Sequence, residues 1–112
     1  MKNFLMSIML LFSSHVLFAE DLACTVTANS DILIQTDFNL NVKEQYQYLS
    51  AGTFSFYLSN LGNSKFEIEV YNNDGPIRFY TTGLLRTSND ILTWTLWSRD
   101  ILLETSCKLA DQ

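Results

Sequence analysis

The stretch Phe54-Ser55-Phe56-Tyr57-Leu58-Ser59-Asn60-Leu61-Gly62-Asn63-Ser64-Lys65-Phe66-Glu67-Ile68-Glu69-Val70-Tyr71 decides the fold. Phe54, Phe56 and Leu58 alternate with Ser55, Tyr57 and Ser59. Beyond a Gly-containing break, Phe66, Ile68 and Val70 alternate with Lys65, Glu67, Glu69 and Tyr71. Strict alternation of this kind marks strands with one face buried and one wet, joined here as a hairpin. Inward faces must meet inward faces, so the pattern pairs Leu58 with Phe66 and Phe56 with Ile68. That leaves Leu61-Gly62-Asn63 as a three-residue turn.

The same rule extends in both directions. Asn72-Asn73-Asp74-Gly75 reads as the next turn, pairing Val70 with Ile77, Ile68 with Phe79 and Glu69 with Arg78. It also sets Glu67 between Tyr57 and Tyr80. Thr87 opposite Leu92 brings Leu85 onto Trp94, with Gly83 opposite Leu96 at a bend covered by a large neighbour. Leu96 opposite Leu103 brings Leu92 onto Cys107. Strands are expected over 22–28, 31–40, 45–49, 53–59, 65–71, 77–87, 91–97 and 101–108. Within 39–49, Asn39 to Gln45 also suits a turn of helix. The fold class is all-β, a small antiparallel meander of about eight strands. It forms a closed or nearly closed barrel, or alternatively a two-sheet β-sandwich.

Ahead of this domain, Met1-Lys2-Asn3 and the apolar run Phe4 to Phe12 lead to a small residue at Ala19. This is the pattern of a cleavable signal peptide over 1–19, and the run is too short to span a bilayer. The single all-β domain is then 20–112, which is 112 less 19, or 93 residues. All three Met and the one His precede that boundary. A periplasmic or secreted location follows, and with it an oxidising compartment. Cys24 and Cys107, both inward by alternation, are expected to form a disulfide joining the terminal strands. In the chain-entropy account such a long loop contributes about 4–5 kcal/mol. Lipidation of Cys24 fits poorly, because Glu20-Asp21 separates it from the apolar run and Cys107 would be left a lone thiol.

Without Lys2, six basic residues stand against twelve acidic ones. That balance argues against nucleic acid and anionic lipid as partners. With no histidine and no free thiol after residue 19, the common nucleophile–base pairs and His/Cys zinc sites are missing. No enzyme activity and no cofactor or metal are therefore expected. Glu67 and Glu69 share a face but read as a cross-strand salt-bridge surface with Arg78. Asn72 to Gly75 lacks the first and last ligands of a calcium loop. Asp-Ile-Leu recurs at Asp31, Asp90 and Asp100, where each Asp serves a turn.

What remains is aromatic. Tyr57, Tyr71 and Tyr80 fall on the outward parity, as do Trp97 and Leu102, which face one another in the last hairpin. Outward aromatics among charges are enriched at interfaces. They point to an exported, non-enzymatic binding module for another exported protein or a glycan. A structural component of the cell envelope or a surface assembly is the alternative. In size and fold class the chain is similar to small disulfide-tied periplasmic barrels that inhibit lysozyme. It carries no motif of theirs, so the likeness implies no function.

Overall fold

A computed structural model describes residues 19–75 and 77–110. The expected signal peptide thus lies almost wholly outside the described residues, as does Pro76. Eight strands run β1 (Glu20–Ala28), β2 (Asp31–Leu40), β3 (Gln45–Ala51), β4 (Phe54–Gly62), β5 (Lys65–Asn72), β6 (Ile77–Leu84), β7 (Ile91–Trp97) and β8 (Leu102–Leu109). All pair antiparallel, and no helix occurs among the described residues. Residues 41–44 form a turn rather than helix, closed by Glu44 N–H donating to the Asn41 carbonyl.

The strands form two four-stranded sheets, ordered β2-β1-β8-β7 and β3-β4-β5-β6. Read as a circle, this is the order of an up-and-down barrel cut at two seams, β2/β3 and β6/β7. The closed barrel is therefore not formed, and the sandwich is. Side chains bridge each seam where a ladder would close a barrel. Phe38 and Tyr46 meet at 4.7 Å between ring centroids in one, and Phe79 and Trp94 at 5.6 Å in the other. The core lies between the sheets around Phe56, Phe66, Leu22, Leu58, Ile68 and Trp94, with Phe56 edge-on to Trp94. The Tyr48 hydroxyl and Thr105 Oγ1 meet at 2.8 Å, tying the two sheets through the core.

Cys24 and Cys107 are direct partners in the β1–β8 ladder and form the expected disulfide, closing a separation of 83 residues. The bridge joins terminal strands within one sheet. The β7–β8 register is as expected, with Leu96 opposite Leu103 and Leu92 opposite Cys107.

Three other registers differ. In β4–β5, Leu58 faces Ile68, Phe56 faces Val70, and Asn60 faces Phe66. The turn is a two-residue one, Asn63-Ser64, both left-handed at φ 55° and 64°, the twist a tight hairpin requires. A bulge beside Gly62, at φ 88°, absorbs the mismatch. Asn60 faces inward and is buried because its amide donates to the Leu40 carbonyl and its Oδ1 accepts from Gly62 N–H. In β5–β6, Val70 faces Phe79, Ile68 faces Thr81 and Asn72 faces Ile77, since Asn72 prolongs β5 and its Oδ1 caps Asp74 N–H in the turn. Both are slips of two residues, which preserve which face each side chain occupies.

The third difference is larger. β6 and β7 do not pair, so Leu85 does not face Trp94, nor Thr87 Leu92, nor Gly83 Leu96. Residues 85–90 instead carry the chain from one sheet to the other. Asp90 Oδ2 accepts the Arg86 and Thr87 N–H groups there, which holds its carboxyl below the usual range. Gly83 pairs with Phe66, and Leu92 of the facing sheet covers it: a Cβ at 83 would stand 3.0 Å from Leu92 Cδ1.

Candidate functional site

The outer faces of the two sheets carry different chemistry. On the β3–β6 sheet, the register aligns Gln47, Tyr57, Glu69 and Tyr80 in one row across four strands. Glu69, not Glu67, therefore lies between the two tyrosines, a consequence of the two-residue slips. Glu67 sits between Ser59 and Thr82. Arg78 lies opposite Tyr71 and reaches diagonally to Glu69, Nη2 to Oε2 at 3.0 Å. Its guanidinium also stands 5.2 Å from the centroid of the Tyr80 ring. The hydrogen bond that Arg78 donates to Glu69, and then the charge of that carboxylate, raise the Arg78 pKa. Tyr57, Tyr71 and Tyr80 thus surround one ion pair, with Tyr80 the most open at 52 % exposed.

Trp97 and Leu102 lie on the other sheet and face each other at the β7–β8 hairpin. Trp97 is 83 % exposed, whereas Trp94 packs in the core. The hairpin is held on two sides. Asn29 N–H donates to the Leu102 carbonyl and Asn29 Oδ1 accepts from Leu102 N–H, both at 2.8 Å. Across the turn, Ser98 N–H donates to the Ile101 carbonyl. The five expected site residues therefore divide between two faces of the sandwich, three on one and two on the other.

Concave features escaped the sequence reading, and two of them bear on binding. An apolar slot of about 370 Å³ opens between the sheets, lined in part by Leu33, Phe54, Phe56, Ile101 and Leu103. A polar groove of about 230 Å³ runs along the outer face of the first sheet, over β8 and between β1 and β7. Thr25 and Thr27, Thr93 and Thr95, and Glu104 and Ser106 line it from the outward parity, and Thr105, whose hydroxyl is turned inward to Tyr48, lines it as well. The signal for it was the repeated Thr-x-Thr of Thr25-Val26-Thr27 and Thr93-Trp94-Thr95. In isolation, each reads as ordinary strand filler.

Among the described residues, no group of three or more His, Cys, Asp or Glu is placed to hold a metal. Nor is any helix among them long and apolar enough to cross a membrane. Compared with protein-family models, curated proteins and solved structures, the chain finds no match in any of the three.

Proposed function

We propose that this chain is an exported, non-enzymatic binding module that recognises another exported protein or a glycan through its outer aromatic residues. The observation that carries this reading is Trp97, 83 % exposed on a hairpin that backbone and Asn29 hydrogen bonds hold in place. A Trp side chain offers on the order of 150–250 Å² of burial at low entropic cost, and such residues dominate binding energy where a partner covers them. Export is supported by the Cys24–Cys107 disulfide, a bond that persists in oxidising compartments. The salt bridge from Arg78 to Glu69 supports the non-enzymatic reading, since it occupies one of the two carboxylates on that face that an acid–base mechanism would use.

The test is Trp97→Ser. Stability should stay within about 0.5 kcal/mol of the parent, because little packing is lost. Capture of the parent's partner from envelope extract, or of its glycan from an array, should fall at least tenfold. A variant that unfolds, or one that binds unchanged, refutes the role of Trp97. A second reading, a structural component of the envelope or a surface assembly, is favoured by a different observation. Ile32 on β2, Ile77 on β6 and Ile91 on β7 are exposed on strands at sheet edges. Edges of this kind template pairing with further copies. A monomer by light scattering at high concentration would dismiss it.

A further inference from the structure

We infer that the threonine-lined groove over β8 is a binding site for an uncharged glycan, with Trp97 as the platform for an adjoining sugar ring; this rests on the binding-module reading above. The groove is assembled from three neighbouring strands. The ladders align Thr25, Ser106 and Thr93 in one row and Thr27, Glu104 and Thr95 in the next. Rows on one face lie about 7 Å apart along the strands, and neighbours within a row about 5 Å apart. Thr25, Thr27 and Ser106 are half-buried and form the floor, while Thr93, Thr95 and Glu104 are exposed at the rim. Ser106, the smallest of the six, sits centrally between two threonines, which makes that row concave, while Glu104 stands at the centre of the next row as one end of the hollow.

The chemistry of the lining selects the ligand. Five hydroxyls can each donate and accept, and one carboxylate accepts only. Among the described residues, no hydrogen bond engages these six side chains, so their capacity faces outward. A ligand rich in hydroxyls matches such a surface. Glu104 repels phosphate, sulfate and uronate groups, and no Lys or Arg lines the groove to attract them. At about 230 Å³ the groove is below the roughly 300–1,000 Å³ of a drug-sized pocket and suits one ring at a time. Trp97 continues the same outward parity two residues beyond Thr95. A second ring, stacking its C–H face on the indole, therefore completes a two-ring site.

The experiment titrates the oxidised, purified protein with chitotriose, maltotriose and cellotriose, following Trp97 emission and heat. At least one uncharged trisaccharide should shift the emission to the blue and saturate, and a uronate-containing trisaccharide should bind at least tenfold more weakly. Thr25→Val with Thr93→Val removes two hydroxyls while keeping shape and strand preference. It should weaken binding roughly tenfold or more at an unchanged melting temperature. Absence of binding by all three trisaccharides, or full binding by that double variant, overturns the inference. Should a protein partner nonetheless be captured through Trp97, the glycan assignment falls while the binding-module reading stands.

Discussion

Tyr48→Phe tests the architecture at its centre. Tyr48 belongs to β3 and Thr105 to β8, in different sheets, and their hydroxyls meet at 2.8 Å with both side chains buried, Tyr48 4 % and Thr105 1 % exposed. Removing the phenol oxygen leaves the Thr105 hydroxyl without its partner in the core. A buried polar group stranded in this way costs about 1–3 kcal/mol. Thr105→Val should cost a similar amount by stranding the phenol. The double variant removes both polar groups and should cost clearly less than the two singles together, a coupling of about 1 kcal/mol. Urea unfolding of the oxidised protein measures all four states, with an unchanged denaturant slope as the check that folding stays two-state. Costs that add to within about 0.3 kcal/mol would refute direct contact between the sheets at this point.

The same pair has a signature in alkali. Burial pushes the Tyr48 phenol up to about 12, and the Thr105 hydrogen bond partly opposes the rise. The folded state therefore holds this proton more tightly than the unfolded chain. Its contribution is complete below pH about 10, the ordinary tyrosine value, and is lost as pH rises from there through about 12. Parent and Tyr48→Phe should thus converge in stability across that window. A gap that stays constant would contradict the assignment.

Two further outcomes follow from the ladders. Reducing and alkylating Cys24–Cys107, which closes a separation of 83 residues, should lower unfolding free energy by about 4–5 kcal/mol in urea melts. A loss below about 1 kcal/mol would mean that the bridge constrains little. Gly83→Ala should cost about 1 kcal/mol by pressing on Leu92, and adding Leu92→Val should return part of it. A neutral Gly83→Ala would show that the facing sheet leaves more room there than a 3.0 Å approach allows.

Face and strand were legible because alternation is local. Every residue read as inward from Phe54 to Val70 is on the core side, and the two-residue slips left that unchanged. Register was less legible where a polar residue took a core position. Matching apolar to apolar gave Phe66 to Leu58, but Asn60 occupies that place because Leu40 and Gly62 satisfy its amide, and no alternation pattern records such partners. The last hairpin came out correctly because its inward residues are all apolar or cysteine save Thr105. The choice between barrel and sandwich was open to the sequence only as alternatives. It turns on whether β2 hydrogen-bonds to β3 and β6 to β7; neither does, and the link that Asp90 holds and the ring pairs that fill the two seams are tertiary matters that no local pattern records.

The break between β6 and β7 also determines what the outer residues can do together. Outward parity was readable for Tyr57, Tyr80 and Trp97 alike, but parity names a side of a strand, not a side of the molecule. Once the sheets separate, the tyrosines share their face with the Glu69–Arg78 pair, and Trp97 shares its own with the threonines. The threonine groove depends further on the pairing of β1 with β8, the longest-range strand pairing among the described residues, and no local pattern brings Thr25 beside Ser106. The disulfide fixes that contact. Cys24 and Cys107 are one residue from Thr25 and Ser106 and point the other way, into the core beneath the groove. The bond that stabilises the domain therefore also sets the register of the groove floor. Reduction should loosen the alignment of Thr25, Ser106 and Thr93 before it disturbs the tyrosine face, which lies on the sheet without the bridge.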